Sequence, residues 1–318
     1  MTRPIPLLLV LLAVAIPLSL LAGRVWLDPW TTPNAAVIVG ELRLPRALLA
    51  VIIGGGLGAA GAAMQGYLRN PLADPGLFGI APGAALGAVL SLLLGYAASA
   101  YLLPLFALAG AGGAMLLLAL IAGRAGGIAL FTLAGMMIAS LAGALTSLAI
   151  SLAPNAFATS EIVVWLMGAL TDRGWPDVWL AAPLTLAGLV VLRLAGRGLD
   201  ALTLGEETAA SLGFDPRRTQ WLVVGGTALA VGGAVAVTGV VGFVGLVVPH
   251  LLRPWVGHHP SRLLLPSFLG GAVLTAVADI AIRLMPPGPE LKLGVVTALL
   301  GAPFFLQLVM GPRAGAQA

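Results

Sequence analysis

Twelve acidic residues, three histidines, three tyrosines and a single lysine are what this chain of 318 residues offers for acid–base chemistry. A P-loop requires Gly-Lys followed by Ser or Thr. Here Lys292 is followed by Leu293, which excludes that kind of ATPase. No His, Asp or Glu cluster has metal-ligand spacing, and no nucleophile–base set is apparent, so neither a metal, a cofactor nor catalysis is expected. There is no cysteine, which excludes disulfides and thiol chemistry. What remains is proton transfer, which needs titratable groups inside apolar segments. Asp279, His250 and Glu161 are the candidates. Asp279 has Arg283 four residues on, so an ion pair near a helix end is the plainer alternative. His250 follows Pro249 near a helix end, where a structural role is the plainer one.

Three polar stretches stand out. In "LTLGEETAASLGFDPRR", residues 202–218, Thr203 and Glu206 have capping-box spacing, which predicts a helix start. Glu206 and Glu207 would then occupy its first turn and favour its dipole. Ala209, Ala210 and Leu212 would form its apolar face, and Gly213 could stop it in a left-handed conformation. Such a helix either rests on lipid or docks a soluble partner. In "RNPLADPG", residues 69–76, Pro71 and Pro75 forbid helix continuation and hold Asn70 and Asp74 extended. That predicts a rigid turn between two apolar runs. In "RLPR", Arg43 and Arg46 flank Pro45 just ahead of an apolar run.

The elements that carry these residues must live in lipid. The chain is 59% hydrophobic and 9% charged, with a mean hydropathy of +1.05, whereas globular domains carry about 25% charged residues. An apolar run of ~20 residues spans a bilayer core. Ten such runs are predicted near 5–23, 47–67, 76–95, 101–122, 128–152, 176–195, 220–239, 241–256, 264–285 and 293–311. All must be helices, because lipid offers no partner to an unpaired amide. The expected fold is therefore all-α: a polytopic membrane protein of about ten transmembrane helices, with one transmembrane domain over 1–318 and a short cytoplasmic segment near 200–218. The first run also resembles a secretory leader, but nine further runs follow it. "SEIVVWLMGAL", residues 160–170, is too short to span and reads as a helix on the membrane surface. "GGGLGAAGAA", residues 54–63, predicts close helix packing.

An even number of crossings puts both termini on one side. If that side is the cytoplasm, Arg3, Arg69, Arg124, Arg193, Arg197, Arg217, Arg218, Arg253, Arg262 and Arg313 lie inside. Arg24, Arg43, Arg46, Arg173, Arg283 and Lys292 lie outside, a split in the direction of the positive-inside rule. The basic residues are scattered at helix ends, which argues against nucleic acid despite a net charge of +4.

Residues 42–90, beginning "LRLPRALLAVIIGGGLGAAGAAMQGYLRNPLADPG", resemble the signature of FecCD-type permeases. These are membrane subunits of bacterial importers for vitamin B12, ferric siderophores and haem. Residues 202–218, "GVVGFVGLVVPHLLR" (239–253) and "LKLGVVTALLGAPFF" (291–305) resemble the family's later blocks, in order. The resemblance implies a homodimer in the bacterial inner membrane, driven by two cytoplasmic ATP-binding subunits and fed by a periplasmic substrate-binding protein. It makes the 202–218 helix the ATPase coupling element, with Thr203, Glu206, Glu207, Leu212, Gly213 and Arg217. It implies a pathway lined by the fifth and tenth helices. A cytoplasmic gate would lie at "GGIA", where Ile128 and Ala129 replace the hydroxyl side chains of some members. It also implies that Arg43, Arg46 and Arg283 form an outward-facing basic cluster that docks the binding protein. A ferric siderophore leads as cargo because that class is widespread in the family, with haem and cobalamin as alternatives. A proton-coupled carrier and a structural or assembly membrane protein are the rivals from other classes.

Overall fold

The computed structural model describes residues 4–23, 26–96, 99, 101–122, 127–285 and 290–310. Arg3, Arg24, Arg124, Gly126 and Arg313 lie outside the described residues, as do 286–289. Among the described residues the regular elements are helices: α1 (Pro4–Leu21), α2 (Leu44–Tyr67), α3 (Ile80–Leu93), α4 (Leu102–Ala122), α5 (Ile128–Ser151), α6 (Ala156–Leu166), α7 (Trp175–Leu202), α8 (Glu206–Ser211), α9 (Pro216–Thr238), α10 (Val244–Leu252), α11 (Pro260–Arg283) and α12 (Leu293–Met310). Seven helical stretches are long and apolar enough to cross a membrane, and Ile80–Leu93, Ala156–Leu166, Val244–Val256 and Leu293–Gln307 are shorter apolar ones.

The bundle is built around α2, which packs against α11, α7, α9 and α10. Of its most apolar window 83% is buried in protein, against 28% for α1 and for α5, so α2 is core and the other two are peripheral. Glycine makes that centrality physically attainable. A Cβ on Gly54 would collide with Thr275 and the Gly271 carbonyl, and one on Gly61 with the Gly245 carbonyl. Removing it lets backbones touch, the usual way membrane helices gain contact. Thr275 Oγ1 then donates across the contact to the Ala50 carbonyl at 2.6 Å.

The second span starts earlier than the hydropathy suggests. Helix is continuous from Ala35 to Tyr67, through a wide π-type turn at Ile38–Arg43. Arg43 and Arg46 therefore stand on a helix rather than in a loop before it. Pro45 explains the local geometry, because it has no N–H for the turn below. In the π pattern its acceptor would be the Gly40 carbonyl, and that oxygen instead accepts Trp175 Nε1 at 3.0 Å.

The expected surface helix is only partly that. α6 begins at Asn155, whose side chain caps Ala158 N–H at 2.9 Å. The chain then turns inward rather than continuing along the surface. Gly168, at φ 68°, allows the turn; Ala169 N–H donates to the Thr238 carbonyl at 2.7 Å and Gly294 N–H to Gly168 at 3.1 Å. Beyond them Leu170 is buried.

Candidate functional site

The polar residues gather at the two ends of α2, which are about 36 Å apart at the usual helical rise. At the first end stand Arg43, Arg46 and Arg283. Arg46 Nε donates to Asp279 Oδ1 at 2.8 Å and its Nη2 to Glu290 Oε1 at 2.6 Å. Arg283 Nη2 lies 2.8 Å from Asp279 Oδ2, the i,i+4 pair expected from the spacing. This contact is an ion pair. Arg283 Nη1 also donates to the carbonyls of Ser19 and Ala22 at 2.8 and 2.9 Å. Arg43 Nη1 donates to those of Leu20 and Leu21 at 2.9 and 2.6 Å. The last carbonyls of a helix have no intrahelical partners, and here two arginines supply them for α1.

The expected basic cluster is not made of free cations. The three arginines do come together, but Asp279 and Glu290 pair with Arg46, and Asp279 also with Arg283. Arg283 is buried, only 7% exposed, because its fork is used up on α1 and Asp279. Asp279 is 1% exposed and flanked by two guanidiniums.

At the other end lies the 202–218 segment. The capping box is not formed. Thr203 ends α7, and its hydroxyl donates to the Asp200 carbonyl at 2.6 Å. α8 is opened by Gly205 at φ 101°, a conformation that moves the start past the threonine. Glu206 and Glu207 do occupy the first turn. Gly213 at φ 83° ends the helix, with Gly213 and Phe214 N–H bonded to the Ala210 and Ala209 carbonyls, both at 3.0 Å. Ala209 faces the core, whereas Ala210, Leu212 and Leu204 face outward, the two leucines 57% and 62% exposed. The apolar face is thus split, and its larger side chains are uncovered. Glu207 and Arg217 are exposed beside them.

Glu206 turns inward. Its Oε1 accepts the N–H of Ile128, the first residue of α5, at 3.3 Å. Ile128 is half-buried and Ala129 exposed. Beneath them Phe131 is fully buried and meets the rings of Tyr67 and Phe78 at 5.1 and 5.8 Å. The start of α5 is therefore pinned from two sides.

Sequence reasoning missed Gln65. It is fully buried, accepts Arg253 Nη2 at 2.6 Å and donates to the Gly245 and Leu246 carbonyls at 3.4 and 3.2 Å. Pro249 explains the need, since it has no N–H to give Gly245 four residues back. A lone glutamine and a lone arginine within apolar runs were the available signal.

The "RNPLADPG" turn lies near this end. Arg69, at φ 50°, ends α2 in the left-handed position, with Arg69 and Asn70 N–H bonded back to Gly66 and Gln65. Asn70 Oδ1 accepts Leu72 N–H at 2.9 Å. Asp74 is extended and caps a short turn at Pro75–Phe78 through Gly76 N–H at 2.7 Å. Burial pushes its carboxyl up to about 6, against the pull of that N–H. Pro71 is exposed and Pro75 buried. A cavity of about 840 Å³ opens beside α12, lined by Met167, Val240, Phe243, Leu299, Pro303 and Leu306. α12 contributes to it; α5 does not, and presents Leu133, Met137, Leu141 and Leu148 outward instead.

Seven crossing-length apolar helices among the described residues, packed through glycine contacts, define a multi-pass membrane protein. The chain belongs to the FecCD transport family, whose profile matches residues 11–311. It is 38% identical over 312 residues to the vitamin B12 import system permease protein BtuC of Escherichia coli O9:H4 (strain HS), covering 96% of this chain and 94% of that one. It is equally identical over 309 residues to BtuC of Shigella flexneri, with 95% and 93% covered. A solved structure described as an inward-facing conformation, of a transporter assigned to the metal-chelate ABC type, superposes with a TM-score of 0.88. The two share 32% identity over 95% of this chain and 97% of that one. The family is one of transporter permeases, not enzymes.

Proposed function

We propose that this chain is the permease subunit of an ATP-driven bacterial importer for a bulky metal chelate. The observation that carries the reading is the pairing of family membership over 11–311 with two exposed leucines, Leu204 and Leu212, that flank α8. In this reading α1–α5, α7 and α9–α12 make ten crossings, with both termini cytoplasmic in the inner membrane. Two copies form the pathway, and α5, whose apolar side chains are uncovered, and α12, beside the cavity, face it. Two ATP-binding subunits dock at α8, and a periplasmic binding protein docks at the Arg43–Arg46–Arg283 end. Ile128 and Ala129 form an apolar gate at the start of α5. The Asn70–Pro75 turn acts as a stiff joint between α2 and α3.

The relatives' vitamin B12 function favours a cobalamin as cargo over the ferric siderophore suggested by the family's breadth. The cavity lining suits either, because a large apolar ligand surface needs only Leu, Met and Pro around it. Titrating the cognate binding protein with cyanocobalamin, haem and a ferric hydroxamate decides the matter. Retention of cyanocobalamin supports the reading; retention of a ferric chelate alone returns the cargo to iron. A proton-coupled carrier is disfavoured because Asp279 is held between Arg46 and Arg283.

A further inference from the structure

We propose that Glu206 is a positioning residue for transport: it ties the coupling helix to the gate helix by capping the first turn of α5. The inference rests on the reading of α8 as the ATPase dock and assigns the route by which that dock reaches the pathway. The two glutamates of α8 are adjacent in sequence and divided in space. Glu207 faces outward, while Glu206 points to Ile128 N–H, 3.3 Å from its Oε1. At Gly127 an added Cβ would lie 3.4 and 3.5 Å from its two carboxylate oxygens, so the carboxylate sits over the backbone at the helix start. The first N–H groups of a helix lack partners and carry the positive end of its dipole. α5 has no acidic residue in its own first turn, and its N-cap residue, Gly127, has no side chain to give. Glu206 supplies from another helix, 78 residues away, what α5 lacks.

α8 is also bound to the body of the protein. Ala209 is buried, and Phe214 lies under the Arg197 guanidinium at 5.9 Å. A displacement of α8 therefore acts on α7 through Phe214 and on α5 through Glu206. Since α5 otherwise exposes much of its surface, the carboxylate is a specific handle on its gate end.

The test exploits the absence of native cysteine. Single cysteines are introduced as Ala129→Cys at the start of α5 and, separately, Ala210→Cys on the exposed side of α8. Each is carried in the complex with its ATP-binding subunits and reacted with a water-soluble maleimide, with and without ATP and vanadate. Protection of the α8 cysteine by the ATP-binding subunits tests the dock. A nucleotide-dependent rate at the α5 cysteine reports gate movement. With Glu206→Ala, the α8 cysteine stays protected and the nucleotide response at α5 shrinks about fivefold, the shift expected of a lost helix cap. Glu206→Gln keeps an acceptor and retains most of the response, which a merely destabilised fold would not. An unchanged response in Glu206→Ala, or none in the parent, overturns the tie. Loss of ATPase assembly in Glu206→Ala also overturns it, because Glu206 would then be a docking residue. An α8 cysteine unprotected in the parent is a different failure: the dock itself is then elsewhere, and the tie falls with it.

Discussion

Arg46 and Asp279, 233 residues apart, meet at 2.8 Å and fasten the N-terminal end of α2 to the C-terminal end of α11. Arg283 approaches the same carboxylate from the opposite side. Burying one carboxylate is tolerable because two guanidiniums compensate it. Replacing Asp279 by Asn would leave buried Arg283 without a carboxylate and Arg46 with Glu290 alone, and breaking a buried pair in this way costs about 3 kcal/mol or more. The expected outcome is a clearly lowered melting temperature in detergent, together with reduced binding-protein docking as Arg46 reorients. A variant as stable as the parent would show that the network is held by the α1 carbonyls instead.

The exposed edge of α8 should decide ATPase assembly. Leu204 and Leu212 are uncovered apolar groups beside Glu207. Glu207→Lys combined with Leu212→Asp reverses the charge and removes the apolar contact without touching Glu206. Copurification of the ATP-binding subunits should fall at least tenfold, as expected when an interface loses more than about 1.4 kcal/mol. The permease itself should remain folded. Full copurification would place the dock elsewhere.

An apolar constriction should leak when charged. Ala129 is exposed at the start of α5, so Asp is accommodated there without a packing clash. Ala129→Asp would hydrate the constriction, and the passage of small solutes through reconstituted vesicles should rise. Permeability equal to that of the parent would move the gate away from α5.

Asp74 predicts a pH dependence of stability. An ordinary aspartate has its pKa at 3.8, and in the fold burial raises it to about 6. Between those values the folded protein holds a proton that the unfolded chain releases. Stability therefore declines as pH rises from 4 to 6 and levels off above that. Asn keeps the acceptor for Gly76 N–H but has no proton to lose. Asp74→Asn should match the parent near pH 4 and exceed it at pH 7.5, by on the order of 2 kcal/mol. Parallel stability curves for the two proteins would contradict the shift.

How much was legible in the sequence follows from the range of each interaction. Seven of the ten predicted spans were legible because a run of apolar side chains is a local property, whereas the runs near 76–95, 241–256 and 293–311 hold shorter apolar helices. The predicted 128–152 is the helix Ile128–Ser151, and the 101–122 run is Leu102–Ala122. The close packing of "GGGLGAAGAA" was legible for the same reason. The start of α8 was not, because two local rules competed. Capping-box spacing pointed to Thr203, while Gly205 at φ 101° set the turn and left the threonine to end α7. The partners of Arg46, Gln65 and Glu206 were illegible, since each lies 78 or more residues away. Sequence could say only that a polar residue in an apolar run must have a partner.

The most direct test of an ATP-driven importer is uptake into proteoliposomes that hold this chain with its ATP-binding subunits and receive cyanocobalamin from its binding protein. Accumulation that requires ATP and both partners, and that persists when a protonophore collapses the pH gradient, is the predicted result. Uptake by this chain alone, driven by a proton gradient without ATP, would contradict it.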